Sequence, residues 1–237
     1  MKIRIKFRKW GVMKFVGHLD MMRYFQKAMR RANIDICYSE GFSPHQIMSF
    51  ASPLGVGLTS DGEYLDIEVN SLASSAEAVD ALNAVMVEGV EILSCVKLPD
   101  HAKTAMSIVA AADYRLSYKE GFESPCSADE WREIIQREFW DKPEFLILKK
   151  TKKSERELDL KPFVYRFEVE DCGSPVFVLS VSTGSTDNIK PELVLASVCE
   201  KCGYPYREEE IQIHRTEVYA RENGRLVALS DMGEMIP

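Results

Sequence analysis

The chain has 237 residues, 46% hydrophobic and 28% charged, enough for one large domain or two small ones around a buried core. It contains no run of about eighteen apolar residues, which excludes a helical membrane span, and its net charge of −7 excludes a uniformly basic nucleic-acid-binding surface. The charge is uneven: from Met1 to Asp35 ten basic residues (Lys2, Arg4, Lys6, Arg8, Lys9, Lys14, Arg23, Lys27, Arg30, Arg31) face only Asp20 and Asp35, giving +8 there and −15 in the remainder. Such asymmetry fits either a face displayed to an anionic partner or basic groups neutralised by acidic strands inside the fold.

In chain order, Lys2–Arg8 alternates charged and apolar residues. That is a strand pattern and not a signal peptide, so a cytoplasmic protein is expected. Met13–Val16 is read as extending or pairing with this strand. A helix is predicted from about His18 to Asn33, its apolar stripe Leu19, Met22, Phe25, Met29 and Ala32, with Asn33 at its C-terminus. Ile34–Tyr38 reads as a short strand, Gly41–Pro44 as a loop, and Ile47–Ala51 and Glu63–Val69 as strands. Ser74-Ser75 opens a helix to about Val87, Gly89 ends it, and Val90–Leu98 is a strand.

The second half repeats this order. Ala112–Tyr118 is a strand, and Ser127-Ala128-Asp129-Glu130 caps a helix to about Trp140. Phe145–Lys150 is a strand, and Pro162–Val169 with Val176–Val181 is a hairpin. A helix starts at Pro191 and runs to about Cys202, and Ile211–Ala220 is a final strand. Two successive β-α-β-β-α-β series predict an α+β fold of two tandem ferredoxin-like sandwiches with antiparallel sheets, over residues 1–100 and 108–222, with a tail at 223–237 that is polar and expected to be poorly ordered after Arg225. The alternative is a single mixed α+β domain.

Four segments carry the residue types of a site. On the first helix, Arg23, Lys27 and Arg30 recur at four- and three-residue steps with Arg31 at their flank, an array suited to a phosphate backbone or to a solvated helix face. His18 and Asp20 lie in that helix's first turn. The loop Tyr38-Ser39-Glu40-Gly41-Phe42-Ser43-Pro44-His45 offers Gly41 for unusual backbone geometry and Tyr38 and Phe42 for stacking on bases. Lys149–Arg156, with Lys150, Lys152 and Lys153, is a basic connection between strands. Thr183–Pro191 precedes a helix and suits either an anion or a plain capped turn. His18, Asp20 and His45 are the candidate acid–base groups.

Of the six cysteines only Cys199 and Cys202 have metal or redox spacing, and no two further ligands accompany them. No metal site and no cofactor is expected, and the three close cysteines of a radical iron–sulfur enzyme are absent.

Arg4-Ile5-Lys6-Phe7, Phe15-Val16-Gly17-His18-Leu19-Asp20-Met21-Met22-Arg23, Ala28–Ala32 and Tyr38–His45, continuing through Ser49-Phe50-Ala51, Pro53-Leu54 and Glu63–Asp66, resemble the DUF2344 family of radical-SAM-linked proteins. The resemblance implies a B12-binding-type radical SAM protein as partner, with this chain a free-standing version that carries no cluster-binding cysteines of its own, so that enzymatic activity on its own is left open and disfavoured. It also implies a context of RNA metabolism. Where the family has Pro-His-Pro the chain has Pro44-His45-Gln46, which implies a looser loop, and Gly17 replaces a serine, removing a capping hydroxyl.

Three functions follow as expectations. The first is a module that presents transfer or ribosomal RNA to the radical SAM partner through Arg23, Lys27, Arg30, Arg31, Tyr38, Ser39, Gly41, Phe42, Lys150, Lys152 and Lys153. The second is a protein–protein adaptor for that enzyme. The third is an RNA-processing enzyme using His18, Asp20 and His45, by architectural likeness to tandem ferredoxin-like CRISPR-RNA endonucleases.

Overall fold

The structure, a computed structural model, describes residues 1–150, 155–184 and 187–237. The elements in chain order are β1 (Lys2–Lys9), α1 (His18–Arg31), β2 (Met48–Phe50), β3 (Thr59–Glu68), α2 (Ser75–Asn83), β4 (Val90–Lys97), α3 (Ala105–Ile108), β5 (Val109–Tyr118), α4 (Ala128–Ile135), β6 (Leu146–Lys150), β7 (Glu155–Asp159), β8 (Val164–Asp171), β9 (Pro175–Ser182), α5 (Pro191–Cys202), β10 (Ile211–Glu222) and β11 (Arg225–Ala228). The chain is mixed α/β, with a large, mostly antiparallel sheet and few helices. It divides into two compact units, Met1–Ala111 with Arg215–Pro237, and Ala112–His214. Among the described residues no helix is long and apolar enough to cross a membrane.

In the first unit β1 lies between β4 and β3, antiparallel to both. The period of two sends Ile3, Ile5 and Phe7 to one face, opposite Ile67, Leu65 and Glu63 of β3. That face is covered by Met21, Phe25 and Met29 of α1 and by Ala78 and Leu82 of α2, forming one apolar core. The buried residues of α1 are Met21, Phe25, Ala28 and Met29, whereas Leu19 is 62% exposed. The predicted stripe through Leu19 and Met22 is therefore rotated: Met21 holds the inward position, four residues before Phe25. Asn33 takes φ +54, as its place after the helix demands, and the Ile34 N–H closes back on Met29 O at 3.0 Å.

Three expectations in this unit are corrected. Met13–Val16 is not strand; residues Gly11–Phe15 form a single 3-10 turn. Ile34–Tyr38 forms only isolated bridges, Ile36 to Val69 and Tyr38 to Gln46. The segment 223–237 is not a loose tail. Arg225–Ala228 pairs with β10, Leu229 is fully buried, Lys97 and Glu234 exchange backbone hydrogen bonds of 2.8 and 2.9 Å, and the Ser75 N–H donates to Ile236 O at 3.0 Å. Its scattered Leu226, Val227, Leu229 and Ile236 provide the apolar groups that dock it.

Gly62 of β3 fits only because it lacks a side chain: a Cβ there would stand 2.7 Å from the Glu217 Cα and 2.8 Å from the Thr216 carbonyl of β10.

In the second unit β9 lies between β5 and β8, and β8–β9 is the predicted hairpin, Val164 pairing with Val181 and Asp171 with Pro175. The core is aromatic: Trp131 packs on Phe177 at 5.1 Å, and Phe139 on Phe145 at 4.8 Å and Phe167 at 5.7 Å. The capping box read at Ser127 is present, with the Ser127 side chain accepting from the Glu130 N–H and Glu130 accepting from the Ser127 N–H. Ser127→Ala removes it at a cost of about 1 kcal/mol, measurable as a lower urea midpoint with unchanged slope. Helix α5 spans the predicted residues, and Gly203 caps it in the left-handed region.

Candidate nucleic-acid interface

Part of the N-terminal positive charge is matched by carboxylates within the first unit. On the β1 face away from α1, Arg4 is buried and donates twice to Asp66, at 2.7 and 3.0 Å, and once to Leu229 O at 3.3 Å. Lys6 donates to Glu217 at 2.5 Å, and the same carboxylate accepts from the Tyr64 hydroxyl. Burial, and then the Glu217 charge, push the Tyr64 phenol upward. Arg8 pairs with Glu91 at 2.6 Å, and Lys2 donates to Ala102 O. The expectation of a +8 outward face is thus corrected: strand pairing sets Arg4 opposite Asp66 and Lys6 opposite Tyr64.

The charge that remains at the surface is on α1. Arg23, Lys27, Arg30 and Arg31 are all exposed. Arg23 makes an exposed pair with Asp20 at 3.1 Å, which water screens. Arg31 lies over the Tyr24 ring and donates to Val85 O. Lys27 has no partner among the described residues.

The loop that follows is joined to this helix. Gln46 is 5% exposed, and its Nε2 donates to Gln26 O of α1 at 3.2 Å and toward the Tyr38 hydroxyl at 3.4 Å. Gln26 O also accepts from Arg30 Nε at 3.3 Å. The Arg30 guanidinium and the Gln46 amide therefore meet at one carbonyl, with the Tyr38 phenol against the same Gln46 amide. Gln46 in place of a proline does not loosen the loop; it ties it down. Ser39 Oγ stands 2.8 Å from His45 Nδ1 and accepts the His45 N–H at 3.1 Å, closing the neck. Gly41 turns the tip at φ +106, and Phe42 is fully exposed there, with Tyr38 half-exposed.

The three acid–base candidates do not come together. His45 stays with Ser39, and Asp20 with Arg23. His18 packs edge-on to Phe50 at 5.2 Å. The helix meets the loop at Gln26, eight residues past His18 and so about 12 Å along the axis at 1.5 Å per residue. Among the described residues no group of three or more His, Cys, Asp or Glu is placed to hold a metal ion. Lys152 and Lys153 lie outside the described residues, and Lys150 is the last residue of β6.

Sequence reading missed a buried charged cluster beside His18. Lys9 is 3% exposed, Glu63 5% and Arg215 2%. Arg215 donates twice to Glu63 Oε1, at 2.9 and 2.6 Å, and to Ser52 O at 2.7 Å. Lys9 Nζ donates to Val16 O at 2.7 Å. Burial pushes the Lys9 ammonium below its usual range; Glu63 opposes that shift and Arg215 adds to it. The signal was available: Lys9 continues the inward alternation of Ile3, Ile5 and Phe7.

Exposed cations of α1 and exposed aromatics of the 38–46 loop thus adjoin at Gln26 of a mixed α/β chain. The chain belongs to the DUF2344 family, described as an uncharacterized protein conserved in bacteria, whose model matches residues 2–191. No curated protein matches the sequence. Among solved structures, a chain of a Cbf5–Nop10–Gar1 complex resembles it with a TM-score of 0.49 at 13% identity, over 97% of this chain and 53% of that one. The chain thus spans about half the length of that structure's chain.

Proposed function

We propose that the protein is an RNA-recognition module that holds single-stranded segments of transfer or ribosomal RNA on α1 and the 38–46 loop, and that it serves a B12-binding-type radical SAM partner. We also infer that each unit is a ferredoxin-like sandwich. The first unit has the series β1-α1-β2-β3-α2-β4 with sheet order β4-β1-β3 and β2 on the outer edge of β3, and the second has β5-α4-β8-β9-α5 with the β6–β7 hairpin inserted.

The observation that carries the RNA reading is the junction at Gln26 O, which sets the exposed Arg30 beside a loop bearing Tyr38 and Phe42. Guanidinium and ammonium groups grip phosphates without regard to sequence, and exposed rings stack on bases. The proteins that bind single strands combine both. Phe42→Ala is expected to weaken binding of a fluorescently labelled single-stranded RNA by about 1–3 kcal/mol in anisotropy titrations, the value of one stacked base. Unchanged affinity in both Phe42→Ala and Tyr38→Ala removes the loop from the interface.

The adaptor reading has its own support. Val12, Phe15, Leu19 and Val56 are 61–77% exposed around the start of α1, where the Gly57 N–H donates to Lys14 O. If this apolar surface meets the radical SAM partner, Phe15→Ser with Leu19→Ser abolishes co-purification of the two proteins and leaves RNA affinity unchanged.

A further inference from the structure

The Lys9 pocket has no part in the RNA surface, and its chemistry is distinct. Its walls are Phe7, Met21, Phe50, Pro53 and Leu54, with Lys9, His18 and Glu63 as the polar groups. The space admits about one water-sized guest, an oxygen or two of a ligand and not a whole nucleotide.

Glu63 is engaged by Arg215 through Oε1. Lys9 forms no ion pair among the described residues, and its one partner is the neutral Val16 carbonyl. Two of its three N–H donors have no protein partner among the described residues. A buried cation of this kind is costly unless it loses its proton or acquires an anion.

The surroundings favour the anion. The Val16 carbonyl that anchors Lys9 is one residue before Gly17, the N-cap of α1, which has no side-chain cap, so the positive end of a fourteen-residue helix opens beside the ammonium. Asp20, the acidic residue of the first turn, is turned outward to Arg23. The nitrogens of His18 make no hydrogen bond among the described residues. The ammonium, the start of α1 without a side-chain cap and the imidazole thus lie together at one small pocket whose apolar walls strengthen any charge pairing.

We propose that this pocket binds the terminal oxyanion, carboxylate or phosphate, of a small molecule whose body lies outside it, with Lys9 as the charged ligand, the first N–H groups of α1 as further donors and His18 at the mouth. The site does not depend on the RNA reading. Of the other charged groups beside Lys9, Glu63 also lines the pocket and accepts twice from Arg215 through Oε1.

The test is an NMR titration of the full chain with sodium acetate and, separately, inorganic phosphate, at constant ionic strength set by chloride. Saturable shifts of the Gly17–Asp20 amides with a dissociation constant on the order of 1 mM or tighter are expected. Saturation by acetate alone identifies a carboxylate ligand, and by phosphate alone a phosphate. Lys9→Met, which replaces a buried cation by an apolar side chain of similar length, weakens binding about tenfold or more, while Lys142→Met, at an exposed lysine of the second unit, leaves it unchanged. Linear, non-saturating shifts with both probes mean an adventitious ion only and overturn the proposal, whether or not the variant folds. Full-strength binding in folded Lys9→Met overturns it as well.

Discussion

Asp66→Ala is expected to lower the stability of the first unit by about 3–5 kcal/mol. The Asp66 carboxylate accepts two hydrogen bonds from Arg4 and one from the Ala105 N–H at 2.7 Å, and both members of the pair are buried. Removal of the carboxylate leaves a guanidinium in the interior with only Leu229 O and the Met232 sulfur for company. The penalty is that of an unpaired buried charge and not of one lost hydrogen bond. The double variant Arg4→Met with Asp66→Leu takes both charges away and recovers most of the loss. Urea unfolding followed at Trp10 reads the first unit. A loss below about 1 kcal/mol means that the pair behaves as a surface ion pair.

Phe25→Ala is the second large effect, at about 3–5 kcal/mol. Phe25 is fully buried, and its ring meets Phe7 at 4.7 Å, Phe50 at 5.6 Å and Tyr24 at 5.8 Å. These neighbours come from β1, β2 and α1 itself, so the cavity cannot close without moving an element. Phe25 is also adjacent to Gln26, whose carbonyl joins the helix to the loop. The variant is therefore expected to speed hydrogen exchange over Gln26–Arg30 and to weaken RNA binding, although Phe25 itself is inaccessible to RNA. Exchange at those amides equal to that of the wild type contradicts this coupling.

What the sequence revealed depended on how local the determining physics was. Helix α5 was legible to the residue because Pro191 and Gly203 punctuate it, and the start of α4 because Ser127 and Glu130 form a box three residues apart; the end read near Trp140 is a π-helical turn, Gln136–Trp140, after α4 stops at Ile135. The hairpin of β8 and β9 follows from alternation around a turn. The fate of the N-terminal charges was not legible. The partners of Arg4 and Lys6 lie 62 and 211 residues away, and only register decides that they meet. The docking of 223–237 was hidden for the same reason, since a four-residue strand carries little pattern of its own.

The candidate site was half visible. Its residue types and the two segments that hold them stood out in the sequence. Their junction did not, because it depends on Gln46, which looks like a polar loop residue and is in fact buried against α1. His18 was visible as a rare residue in a marked place, but its company was misjudged. Alternation along β1 sends Lys9 inward to the pocket that His18 lines, and β3 brings Glu63 opposite Phe7.

The most direct test of the RNA surface is the salt dependence of single-stranded RNA affinity, in the wild type and in Lys27→Gln with Arg30→Gln. Each phosphate contact contributes about 0.7 to the slope of log affinity against log salt for single strands, so the double variant should lose about 1.4 from that slope. Phe42→Ala should bind more weakly with its slope intact, because stacking releases no counterions. Absence of binding at low salt, or a slope in the double variant equal to that of the wild type, contradicts an RNA interface on α1.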